Sequence, residues 1–115
     1  MSTLEVSNIN DGTTTVATTY VTNGSARAWC QYSGSGSTFA DSFGMSSATD
    51  NGTGDYTVTL SNNMANDDYA PSNISLYNNV SAHTIAAASV RVQLTNNAFS
   101  SVDGLVCVTF HGDLA

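Results

Sequence analysis

This chain has no lysine, and Arg27 and Arg91 are its two cations of fixed charge, set against nine acidic residues for a formal net charge of -7. So little positive charge leaves no basic patch for a phosphate backbone, which argues against direct nucleic-acid binding. Glutamate occurs once, at Glu5, proline once, at Pro71, and charged residues fill 10% of the 115 positions. Polarity comes instead from Ser, Thr, Asn and Gly beside a 41% hydrophobic content, which is not the charge-rich, apolar-poor composition of disordered chains. No apolar run approaches the roughly 20 residues of a membrane helix, and the opening residues show neither the basic segment nor the apolar core of a secretory signal. The expectation is one folded domain, made and kept soluble in a cytoplasm unless an assembly carries it out, with no membrane partner.

Cysteine is also scarce. Cys30 and Cys107 could pair in principle, but a cytoplasmic route keeps thiols reduced and both lie in strand-like apolar runs, so buried free thiols are expected. Asn23, Asn51, Asn73 and Asn79 each open an N-x-Ser/Thr sequon; without a secretory signal these read as accidents of composition.

What is present is short alternation punctuated by turns. The stretch Asp41 to Leu60 organises the rest: a polar run, a glycine-marked reversal at Asp50-Asn51-Gly52-Thr53-Gly54-Asp55, then Tyr56-Thr57-Val58-Thr59-Leu60. Asn-Gly between strand-like residues is a strong hairpin signal, and Tyr56, Val58 and Leu60 fall on one face with Thr57 and Thr59 on the other. Upstream, Leu4 to Ile9 alternates, Asp11-Gly12 turns, and Thr13 to Val21 is a β-branched run too polar for a core element, suited to an edge strand or an extended segment docked on a neighbouring subunit. Asn23-Gly24 ends this arm. From Ala26 to Tyr32 a strand puts Ala28, Cys30 and Tyr32 on one side and Arg27, Trp29 and Gln31 on the other. A tryptophan on the non-core face is either half covered locally or part of a subunit interface.

Gly34-Ser35-Gly36 is a loop, and Phe39 and Phe43 sit in a short strand pair of their own with Gly44 closing it. Ser61 to Asp68 reads as a polar connection and Tyr69 to Tyr77 as a strand that Pro71 confines to an edge. Thr84 to Ala88, with its three alanines, is the helix-friendly run, too short to stand alone. Val90, Val92 and Leu94 alternate inward, Asn96-Asn97 turns, and Leu105 to His111 is apolar on both faces, as a central strand is. Several short strands at regular turn spacing define an all-β fold: an antiparallel β-sandwich, small and jelly-roll-like or barrel-like, with an extended N-terminal arm. The division is an arm or attachment strand at residues 1–25 and a β-sandwich domain at 26–115.

Arg27-Ala28-Trp29, Asp41-Ser42-Phe43, Asp50 to Val58, Met64 and Tyr69 together resemble the repeated signature of short β-domains in bacteriophage fibre proteins, particularly of marine phages. There a Lys-Ala-Trp strand leads through a Ser-Phe segment into an Asp-Asn-Gly-Thr-Gly-Asp-Tyr hairpin. The opening Ser2 to Ile9 is similar to the start of such proteins. Arg27 departs from the usual Lys, Cys30-Gln31-Tyr32 from Val-Asn-Phe, and Gly44-Met45 from Asn-Val. The resemblance implies a non-enzymatic virion structural protein, a homotrimer assembled in the host cytoplasm, displaying loops outward and contacting other virion proteins and a host-surface glycan. The first expectation is a fibre or spike subunit on the tail; the alternative is a head decoration protein at local symmetry axes of the shell. A polysaccharide depolymerase is a third reading, disfavoured by the lack of paired carboxylates outside loops.

Chemistry has little to stand on. His83 lies in a polar Ser-Ala-His-Thr context and His111 at the end of the last strand, with no nucleophile elbow nearby, so no catalytic residue is assigned. Asp50 to Asp55 offers oxygens and a glycine bend, but lacks the spacing and closing Glu of a calcium loop. Asp and Asn make such turns unaided, so no metal and no cofactor is expected, and Asp50, Asn51, Gly52, Gly54 and Asp55 are read as hairpin-turn residues. Arg27, Trp29, Cys107 and His111 are the subunit-interface candidates.

Overall fold

The computed structural model describes residues 2–76 and 78–115. Met1, at the head of the expected arm, and Tyr77, at the end of the expected Tyr69–Tyr77 strand, lie outside the described residues. Three alternating segments form the strands whose inward residues make the core. In β3 (Ala28–Ser33), Ala28, Cys30 and Tyr32 are buried; in β6 (Asp55–Leu60), Tyr56, Val58 and Leu60; in β9 (Ser89–Thr95), Val90, Val92 and Leu94. A fourth, β10 (Leu105–His111), adds Val106, Val108 and Phe110. All four behave as their two-residue period dictates.

Edge strands complete two antiparallel sheets: β4 (Thr38–Phe43) and β7 (Ala70–Ile74) give the order β4-β3-β10-β7, and β5 (Met45–Gly52) and β8 (Asn79–Ala86) give β5-β6-β9-β8. The two sheets pack face to face around one apolar cluster, so the chain is an antiparallel β-sandwich. Pro71 sits on β7, an edge, where a missing N–H is tolerated.

The chain passes from β4 in one layer to β5 in the other through Gly44 alone, at φ 72°. A side chain there would meet the Arg27 carbonyl at 3.0 Å and Ala28 Cβ at 3.1 Å, so a residue without Cβ makes the corner. Met64 and Tyr69 are buried at the same end, and Tyr69 Oη donates to the Ala86 carbonyl at 2.7 Å, tying the β6–β7 connection to the β8–β9 turn.

Two expectations are corrected. Phe39 and Phe43 do not form a strand pair of their own: β4 pairs with β3, and a register shift opposite Gln31/Tyr32 turns Phe39 inward and Phe43 outward. The alanine run, too short to stand alone as a helix, is split: Ala86 ends β8 and Ala87-Ala88 form the turn to β9. The arm is not one extended segment either. It folds as β1 (Asn8–Asn10) and β2 (Thr15–Ala17) in a hairpin, followed by helix α1 (Thr18–Gly24). Asp11 Oδ1 accepts the N–H groups of Thr13 and Thr14 at 2.9 and 2.8 Å, so the reversal comes early. The Thr18 N–H and hydroxyl then bond the Ser7 carbonyl at 2.9 and 3.1 Å, starting the helix against the first segment.

Candidate assembly face

The two outer faces of the sandwich differ in chemistry. Register places Thr49, Thr57, Arg91 and Thr84 in one row across β5-β6-β9-β8, with Gly52, Asp55, Gln93 and Ser81 beside it and Ser47, Thr59, Ser89 and Ala86 beyond. This face is made of hydroxyls, amides and one ion pair. Arg91 holds Asp55 with two bonds, Nε to Oδ1 at 2.8 Å and Nη2 to Oδ2 at 2.6 Å. That pairing, led by the Arg91 hydrogen bond, keeps the Asp55 carboxyl below its usual range.

The other outer face carries exposed large apolar groups. Across β4-β3-β10-β7 the rows read Phe43, Trp29, Thr109, Ser72, then Asp41, Gln31, Cys107, Ile74, with His111 and Ala70 at one end. Trp29 is 38% exposed, Phe43 59% and Ile74 66%, three large apolar groups on one sheet face. Arg27 lies beside His111: its N–H donates to the Phe110 carbonyl at 2.7 Å and its Nε to the Gly112 carbonyl at 3.2 Å. The structure therefore brings Arg27, Trp29, Cys107 and His111 onto a single surface, and adds Phe43 and Ile74, which the sequence reading left out of it. The signal for Phe43 was its cross-strand position opposite Trp29, visible once β4 is paired with β3.

The cysteines fall on opposite sides. Cys30 sits opposite Val108 and points into the core, where burial pushes its thiol up to about 11; Cys107 sits opposite Gln31 and faces outward, half-buried. Both are free. Adjacent strands whose cysteines point to opposite faces cannot bridge them.

The hairpin residues build a self-stapled turn. Asp50 Oδ1 accepts the Gly52 N–H at 3.0 Å, Asn51 Nδ2 donates to Thr57 Oγ1 at 2.8 Å, and Asp55 is engaged by Arg91. Gly52 and Gly54 take φ of 143° and 66°. A residue the sequence reading missed completes it: Asp103 Oδ1 accepts both the Gly54 N–H at 3.0 Å and the Tyr56 hydroxyl at 2.7 Å. These bonds hold the Asp103 carboxyl low, the Gly54 N–H foremost, while burial and then the Asp103 hydrogen bond push Tyr56 up to about 12. Among the described residues no group of three or more His, Cys, Asp or Glu is placed to hold a metal ion. His83, exposed on β8, and His111, on β10, belong to different sheets.

The arm and the loops lie at opposite ends of the sandwich. Residues 34–37, 53–54 and 96–104 meet at one end, where the Gly34 N–H bonds the Gly104 carbonyl at 2.8 Å and the Leu94 N–H the Gly54 carbonyl at 2.7 Å. Arg27, Gly44 and Gly112 meet at the other, from which the arm projects. The chain measures 51 Å along its longest axis, and its radius of gyration is 16.5 Å, against about 13 Å for a compact chain of this length. No protein-family model, curated protein or solved structure matches this chain.

Proposed function

We propose that this chain is a non-enzymatic structural subunit of a bacteriophage virion, a homotrimeric fibre or spike protein carried on the tail that presents its loop end to the host surface. The observation that supports this most is the asymmetry of the sandwich. One outer face is hydroxyl-rich and suited to water, while the other sets Trp29, Phe43 and Ile74 in the open, as surfaces that bury against a partner do. The resemblance to short fibre β-domains supplies the particle, and the opposed arm and loop ends suit a subunit anchored at one end. On this reading Arg27, Trp29, Cys107 and His111 lie at or beside the subunit interface, and a glycan is the host-surface contact.

A head decoration protein is the rival, favoured by the projecting arm, which suits clamping shell subunits. Sedimentation of the purified chain tests trimerisation, and copy number per particle tests location: few copies fit a tail fibre, and a number matching the shell lattice fits decoration. A monomer at all concentrations, or absence from particles, refutes the proposal.

A further inference from the structure

The arm lacks a surface of its own to rest on. None of its described residues is buried, and helix α1 has seven residues, no acidic side chain in its first turn and no side-chain N-cap. A helix of that length does not hold itself in water. Its Thr18, Val21 and Thr22, sharing one face at helical spacing, line a hollow with Leu4, Val6 and Ile9, and Glu5 lies on the same hollow. Leu4 is 85% exposed there. The arm's side-chain bond to the start of the sandwich is Asn23 Oδ1 accepting from Arg27 Nη2 at 3.5 Å.

The sandwich presents the matching deficit. Its aromatic face is uncovered, and Arg27 at the edge of that face has no carboxylate partner among the described residues, whereas Arg91 is held by Asp55. Glu5 likewise has no cation partner among the described residues. In a chain with two arginines and one glutamate, an apolar hollow bearing that glutamate and an apolar face bearing the unpaired arginine are complementary in both charge and polarity.

We infer that the arm of one copy docks through its Leu4, Val6 and Ile9 hollow on the Trp29 and Phe43 face of a second copy, with Glu5 meeting Arg27 across the contact. The inference rests on the homo-oligomeric reading above and specifies its geometry. Arm against face is a heterologous contact, which generates a ring when the rotation closes, and three copies are the smallest ring larger than a dimer.

The test uses the full chain. Leu4→Cys places an exposed thiol on the arm, and Cys107 supplies one on the aromatic face in the row next to Trp29, with Cys30 buried. Mild oxidation is expected to give covalent oligomers on non-reducing gels, absent when Cys107→Ser is added. Separately, Glu5→Arg and Arg27→Glu are each expected to weaken assembly about tenfold by juxtaposing like charges, and the double reversal to restore it. Wild-type chains linked through Cys107 alone, or a cross-link within one chain, overturn the arm-on-face contact. Trimers that persist unchanged in all three charge variants also overturn it and leave the trimer reading standing; a wild-type monomer removes both.

Discussion

Gly34 and Tyr56 fit together because one of them has no side chain: a Cβ on Gly34 would overlap the Tyr56 hydroxyl and lie 2.9 Å from the Gly104 carbonyl. That hydroxyl is fixed by its bond to Asp103 at 2.7 Å. Gly34→Ala should therefore destabilise the chain by about 3 kcal/mol, an overpacking cost, and Tyr56→Phe by about 1 kcal/mol through the lost hydrogen bond. In the double variant the alanine's cost should be relieved only in part, because the hydroxyl overlap is gone while the ring carbon Cζ and the Gly104 carbonyl still crowd the added Cβ. Urea midpoints for the four chains measure this; strictly additive losses would separate the two residues.

The two hairpin glycines should differ in what they tolerate. Gly52, at φ 143°, has open space around its missing Cβ, whereas at Gly54 a Cβ would strike the Leu94 carbonyl and lie 2.7 Å from that of Val102. Gly52→Ala should cost about 1–3 kcal/mol from backbone strain alone. Gly54→Ala should prevent recovery of folded protein, since backbone on both sides cannot yield. Equal losses in thermal melts would show that strain, not space, governs both.

Stability should be bounded at both ends of the pH scale. Asp55 and Asp103 have folded values below the usual 3.8, Arg91 and the Gly54 N–H being the leading causes. Their contribution is present above that value and is lost as pH falls through the lowered ones. Cys30, raised by burial from 9.0 to about 11, and Tyr56 and Tyr69, raised chiefly by burial from 10.0 to about 12, act in the opposite sense. They remain neutral in the fold, so their contribution is complete below pH 9 and is lost between about 9 and 12 as the unfolded chain ionises. Chemical denaturation across pH should give a plateau from about 4.5 to 9 with losses on each side; a flat alkaline limb would contradict the burial of these groups.

Trp29→Ala should weaken self-association by about 2 kcal/mol, the scale of an aromatic anchor, with a smaller effect on the unfolding of the separate chain because the ring is already 38% exposed. Thr57→Ala, on the hydroxyl face, should leave association unchanged. Sedimentation equilibrium distinguishes the two; equal behaviour of both variants would take the aromatic face out of the interface.

The strands that alternate were legible in sequence because the core selected them. Val90, Val92 and Leu94, or Val106, Val108 and Phe110, face inward for the same reason that their periodicity was visible. Strand β8 was not legible, and β5 only as the polar limb before the Asp50–Asp55 reversal, since each is an edge with one neighbour and mostly exposed residues. They are strands because β6 and β9 present backbone groups to pair with, and side-chain pattern does not report that. Phe39 and Phe43 misled because Gly34, Gly36 and Gly44 bracket them as a separate unit, whereas they lie on one strand whose partner, β3, precedes the loop. Of the outer surface, Arg27, Trp29, Cys107 and His111 followed from parity within two strands, but Asp103, 47 positions from Tyr56, left no local trace.

Gly44 has one more consequence. Where a polypeptide switches layers within a single residue, with the Ser61 N–H bonded to the Gly44 carbonyl at 2.9 Å, the corner works as a pin without slack. Grafted peptides or a new chain break placed there would let the sheets shear past one another, so cargo belongs at Ser35-Gly36 on the far tip, where Gly36 has no close backbone neighbour to displace.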